Sequence, residues 1–219
     1  MLESPAWVML APLFLFAAGG STTSVEKVQL TIATLHAAAL TTPRVAGDST
    51  DAPFFLVEIV GPHNNSASIL PRSAQPNIRL NEAVGARPLT ELTLAQGDSV
   101  SVLVSVLENA KVPTSAEGAA AVTGARSASP AELSDHAKRL VAPLVKAGAN
   151  WIGSVNLLLT NENGAIFWRR LDCVASCSVL TGPATTALPA SAAQPSNGVV
   201  EFSGNGGTYH LALQAARAQ

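Results

Sequence analysis

The sequence predicts an all-β chain, an antiparallel β-sandwich with one helical insertion, and three observations carry that expectation. Short runs alternate apolar and polar residues with period two, most clearly in DSVSVLVSVLE, which is the mark of a strand with its two faces in different surroundings. Asn-Gly and Gly-rich steps stand between such runs, where tight turns need positive φ angles. Only one stretch, SPAELSDHAKRLVAPLVKAG, carries the start and stop signals of a helix. With 219 residues, 47% hydrophobic and 13% charged, the chain is long enough for one sizeable core and short for several. Residues 21–219 are therefore expected to form a single domain, with a loop and helix inserted at about 109–149.

The first segment, MLESPAWVMLAPLFLFAAGGSTTS, has an apolar run from Ala6 to Ala18. That fits the roughly 7 to 15 residues of a signal-peptide core and falls short of the ~20 that span a bilayer. Ala18 and Gly20 are small residues of the kind a signal peptidase selects, so residues 1–20 are expected to be removed before Ser21. No Lys or Arg precedes Lys27, which departs from the usual basic start. The alternative is an apolar helix or strand that stays attached and packs on a neighbour; a true start at Met9 is a variant of the signal reading. The expected destination is secreted, periplasmic or cell surface.

VEKVQLTIATL starts the domain, with Val28, Leu30 and Ile32 on one side. PFFLVEIV, Pro53 to Val60, reads as a buried second strand, and the Pro-, Asn- and Ser-rich GPHNNSASILPRSAQPN after it as a surface loop holding an Asn64-Asn65-Ser66 sequon. LTELTL pairs in expectation with the valine strand through a Gly97-Asp98 turn. In that strand Val100, Val102, Val104 and Val106 face the core, and Ser99, Ser101 and Ser105 a wet face.

The Ala-, Gly- and Ser-rich run after Glu108 leads into the helix, with Ser129 as N-cap, Pro130 in the first turn, Glu132 completing a capping box and Gly148 at the C-cap. Leu133, Ala137, Leu140, Val141 and Leu144 form its apolar stripe. Pro143 is expected to kink or split it, because proline lacks a backbone donor and crowds the preceding turn. NWIGSVNLLLTNENGAIFWRRLD reads as a hairpin turning at Asn163-Gly164, and NGVVEFSG with GTYHLALQA as another. Together these give roughly seven or eight strands.

Cys173 and Cys177 lie in LDCVASCSV. A disulfide, two free thiols and a metal or redox site are the alternatives; zinc needs two further ligands and thioredoxin chemistry a C-x-x-C spacing. A disulfide would imply an oxidising compartment and, closing so small a loop, would act as a local staple.

A formal net charge of -2, from 13 basic and 15 acidic residues, gives no electrostatic reason to bind nucleic acid. G-x-S-x-G, H-E-x-x-H, Walker and dinucleotide motifs do not occur, and the chain is not expected to be an enzyme. His36, His63, His136 and His210 are scattered and read as polar face or loop residues. Trp151 and Trp168 on the arms of one hairpin suggest either core packing or a sugar platform. Arg169 and Arg170 should point to opposite faces.

Oxygen-bearing side chains recur at strand ends: Asp48 and Asp51 before PFFLVEIV, Glu108 and Asn109 after the valine strand, Asn150 before WIGSV, and Asn161 and Asn163 at the hairpin turn. GDSTDAPFFLVEIVG, LAQGDSVSVLVSVLEN, ANWIGSVNLLL and FSGNGGTYHLAL, in this order, resemble the strand segments of C2-like β-sandwich domains over about half of the chain. In those domains acidic loops bind calcium and an Ile-Gly step opens a later strand. The resemblance implies a calcium site built from Asp48, Asp51 and Glu108. Ala149 and Asn150 stand where it implies an acidic pair, and three carboxylates make a weak site. The other reading of Asp48 and Asp51 is turn chemistry, in which the carboxylates accept backbone donors.

Two functions follow as expectations. One is an exported, non-catalytic structural or interaction module that works through surface loops on a protein or other extracellular ligand and needs no cofactor. The other is a calcium-dependent C2-like module for a lipid surface, a glycan or a protein. Membrane binding is expected only with calcium, and a homo-oligomer is compatible with both.

Overall fold

Strands whose side chains alternate apolar and polar must cover the apolar face, and here two antiparallel sheets cover each other. The computed structural model describes residues 25–41, 50–61, 65–70, 77–108, 130–189 and 195–218. The predicted signal segment, Asp48, the sequon's Asn64, Asn109 and Ser129 lie outside them. The strands are β1 (Val25–Ala39), β2 (Thr50–Asp51), β3 (Pro53–Val60), β4 (Asn65–Leu70), β5 (Ile78–Arg79), β6 (Ala83–Val84), β7 (Arg87–Ala95) and β8 (Ser99–Glu108). Helix α1 (Pro130–Lys146) follows, then β9 (Asn150–Glu162), β10 (Ala165–Ala175), β11 (Cys177–Thr181), β12 (Ser196–Gly204) and β13 (Gly207–Arg217).

One sheet runs β11-β12-β13-β1, with β6 and β7 both on the far side of β1; the other runs β10-β9-β8-β3-β4; β2 and β5 form a small ribbon. The protein is thus an all-β antiparallel sandwich with one helical insertion. Val28, Leu30 and Ile32 of β1, the four valines of β8, Val155, Leu157 and Leu159 of β9, and Phe202, Tyr209, Leu211 and Leu213 fill the space between the sheets. In β1 a bulge between Ile32 and Thr34 shifts the buried parity, so that Leu35 and Ala37 continue the inward face.

All eight residues of β3 are buried, because both its faces are covered. Phe55, Val57 and Ile59 join the sandwich core. Phe54 and Leu56, with Leu103 and Leu107 of β8, pack instead beneath α1, against Ala137, Leu140, Val141 and Leu144. The expectation of one wet face on the valine strand therefore holds only near its start: Leu103, Ser105 and Leu107 are dry because the helix lies over them. Helix α1 continues through Pro143 without splitting. That proline falls in the last turn, at an exposed position, so its missing donor affects little of the helix. The helix ends in a Schellman arrangement: Ala149 N–H donates to the Leu144 carbonyl at 2.9 Å and Gly148 N–H to Val145 at 2.9 Å, with Gly148 at φ 101°.

Other expectations are corrected. There are thirteen strands among the described residues, because several short pairings escape period-two reading. Part of the stretch read as a surface loop is β4, hydrogen-bonded along β3 from Val60↔Asn65 to Phe55↔Leu70. The LTELTL strand, β7, pairs with β1 rather than with β8; the Gly97-Asp98 turn carries the chain from one sheet to the other. Arg169 and Arg170 are both exposed on the outer side, because a bulge between Trp168 and Arg170 puts Trp168 and Leu171 in the core on either side of them. The two expected hairpins do form, with Asn163 and Gly164 at φ 55° and 82° and Asn205 and Gly206 at 49° and 82°.

At the end of β10 the chain crosses sheets through Ser176, at φ 49°. Cys173 and Cys177 are joined across this corner as a disulfide, with Cα atoms 5.5 Å apart. The corner leans on Gly153, where a Cβ would stand 2.7 Å from the Ala175 carbonyl oxygen and 2.8 Å from that of Ser176. The Ile152-Gly153 step thus has a steric reason. Gly153→Ala should lower stability by about 1–3 kcal/mol, read as a lower urea midpoint; an unchanged midpoint would mean that the corner yields freely.

Candidate functional site

At the pole where β3 begins and β8 ends, the register sets Pro53 opposite Glu108 and Glu108 opposite Asn150. Asp51 and Glu108 therefore share one end of the sandwich, while Asp48 lies outside the described residues. Asp51 is 1% exposed. Its Oδ2 accepts the Thr41 backbone N–H at 2.8 Å, its Oδ1 accepts the Thr41 hydroxyl at 3.2 Å, and Oδ2 also accepts the Tyr209 hydroxyl. Burial first, then the carboxylates of Asp51 and Glu108, hold the Tyr209 hydroxyl well above its ordinary value of 10.0. Tyr209 thus stays protonated and donates. Glu108 accepts the Asn150 side-chain amide at 3.0 Å.

The three donors on Asp51 come from two residues. Thr41 follows β1 and Tyr209 lies in β13, both of the first sheet, whereas Asp51 leads into β3 of the second. The carboxylate is an internal tie between sheets, which satisfies a buried charge that would otherwise be costly. As a calcium ligand it fits poorly: calcium takes six to eight oxygens, and this carboxylate is already committed to protein donors. Among the described residues, no three His, Cys, Asp or Glu side chains converge, as they stand, on a point that a metal ion would occupy.

Asn161 and Asn163 lie at the other pole, on the order of 40 Å from Asn150 along the thirteen-residue β9. They do not belong with Asp51 and Glu108. Asn161 is fully buried, and its amide donates to the Leu94 carbonyl at 3.0 Å while its Oδ1 accepts Gly164 N–H at 3.0 Å. Its backbone exchanges hydrogen bonds with Gly97 and Asp98 at 2.8 and 2.9 Å. It too is a tie between sheets, beneath a shallow open groove of about 700 Å³. Beside that groove Arg169 pairs with Glu162 and stacks 4.0 Å over the Phe167 ring.

The two tryptophans divide between cores: Trp168 packs between the sheets and Trp151 against the helix-covered cluster. They form no common platform. Trp151 Nε1–H donates to Ser154 Oγ at 3.1 Å, and Ser154 and Ser105 share a hydroxyl hydrogen bond of 2.6 Å.

A third polar cluster was missed in the sequence. Glu58, in the outward register of β3, is 2% exposed, and His136 Nε2 of α1 lies 2.5 Å from its Oε2. The signals were a single acid within PFFLVEIV and a histidine three residues after Leu133, adjoining the helix's apolar stripe. Burial pushes the Glu58 carboxyl above its ordinary 4.5, against the opposing hydrogen bond and charge of His136.

Comparison with protein-family models and with curated proteins finds no match.

The folded protein holds a proton on Glu58 more tightly than the unfolded chain. Its stabilising contribution is therefore complete below about pH 4.5 and lost as pH rises through the raised folded value. Urea unfolding of the wild type and Glu58→Gln between pH 4 and 7 should show the wild type losing ground to the variant as pH increases. A difference constant over that range would contradict the burial effect.

Proposed function

We propose that this protein is an exported, non-catalytic structural or interaction module, in which the sandwich is a rigid support and contacts are made by the segments that leave its poles. The observation that carries this reading is the use of the buried polar groups at both ends: Asp51 and Asn161 each tie the two sheets together. The chain departs from the first of these poles at Thr41 and again after Glu108, so segments distant in sequence begin at the same end. Residues outside regular elements on a rigid scaffold are the usual carriers of recognition. The Cys173–Cys177 disulfide supports export, since such bonds persist in oxidising compartments.

A second reading, a calcium-dependent C2-like module for a lipid surface, a glycan or a protein, draws on the shared pole of Asp51 and Glu108. The commitment of Asp51 to Thr41 and Tyr209 weighs against it.

Thermal melting in 10 mM calcium and in chelator separates the two. A site with a Kd of about 0.1 mM would add about 2.7 kcal/mol at that concentration, raising Tm by roughly 5–10 °C. The first reading expects coincident melts, and a rise of that size would replace it with the calcium-dependent module.

A further inference from the structure

The outer face of the first sheet carries a row of residues brought opposite one another by register. His36 of β1 stands opposite His210 of β13, and His210 opposite Glu201 of β12. All three face outward, because their neighbours Leu35, Ala37, Tyr209, Leu211, Val200 and Phe202 are buried in the core. The histidine ring centres are 5.5 Å apart with planes inclined by 37°, and His210 Nε2 lies 2.9 Å from Glu201 Oε2.

We propose that His36, His210 and Glu201 form a site for a divalent transition-metal ion such as zinc. Two imidazoles bound to one tetrahedral zinc through nitrogens at about 2.1 Å place their ring centres roughly 5 Å apart, close to the observed separation. The sheet therefore supplies the spacing, and a turn of the His36 ring about its own side-chain bonds supplies the convergence that the present side-chain positions lack. Glu201 takes either of two supporting positions: it completes the ligand set beside His210 Nε2, or it holds that nitrogen and orients the ring while Nδ1 binds. Among the described residues the row continues into Ala83 beside His36 and Ser178 beside Glu201, small neighbours that bring no Lys or Arg to repel a cation. Imidazole and carboxylate together suit zinc, copper or nickel rather than calcium or magnesium, which take oxygen ligands.

The test is calorimetric titration of the full chain, free of any histidine tag, with zinc chloride near pH 7.4. One equivalent is expected, with affinity at least tenfold weaker in His36→Ala and in His210→Ala. Equal binding in those variants, or no binding by the wild type, would overturn the site. A second measurement on the unaltered protein guards against misfolded variants: substoichiometric Cu²⁺ should broaden the ring resonances of His36 and His210 before those of His63 and His136. Broadening that begins at His63 or His136, or that spares the pair, would equally overturn it.

Discussion

A carboxylate on a residue only 1% exposed, at one end of a sandwich, has to find donors or cost the fold several kcal/mol. Asp51 finds them in the Thr41 backbone, the Thr41 hydroxyl and the Tyr209 phenol, and much of the architecture follows. The bond to Thr41 fixes where the chain leaves the first sheet, and the bond to Tyr209 reaches the strand beside it. Asp51 itself fixes where the chain enters the second sheet. Apolar packing between sheets is non-directional; these hydrogen bonds make the alignment at this end specific. Gly207 permits the approach, since a Cβ there would lie 2.6 Å from the Thr41 methyl group.

The opposite end is held in the same manner by a neutral group. Asn161 joins the end of β7 to the β9–β10 turn with its amide and its backbone, so that an inter-sheet crossing and a hairpin brace one another. On the Asn150 side of the sandwich, near the Asp51 end, the corner at Ser176 rests on Gly153 and is closed by the disulfide. The loop model makes a bridge over so few residues worth about 2 kcal/mol, a local contribution beside that of the core. Helix α1 performs the remaining task of covering the second sheet's outer face, which is why Glu58 and His136 meet in a nearly dry layer.

Much of this was legible in the sequence wherever a local rule operates. The valine strand, the two Asn- and Gly-containing hairpins, the helix with its stripe and Gly148 cap, and the buried character of PFFLVEIV all follow from period, turn chemistry and capping. Non-local pairings were less accessible. Nothing in LTELTL distinguishes β1 from β8 as its partner, and the composition of residues 61–77 conceals the short strand β4. Asp51 and Glu108 are legible in the sequence as residues at strand ends, but only the fold shows that Asp51 is engaged by Tyr209, 158 residues away. Asn161 reads from the sequence as an oxygen-bearing residue of the hairpin turn, and its use in bridging sheets depends on where β7 ends. The same limit applied to His36, His210 and Glu201, whose adjacency is a matter of register among three strands.

The central claim is that Asp51 acts through Tyr209 as a structural tie rather than as an open ligand. A double-mutant cycle with Asp51→Asn and Tyr209→Phe, measured by urea unfolding, tests it most directly. Buried hydrogen bonds to a charged group lead to an expected coupling energy of about 1–3 kcal/mol. Additive losses, with coupling near zero, would show that the two side chains meet without depending on each other and would contradict the account.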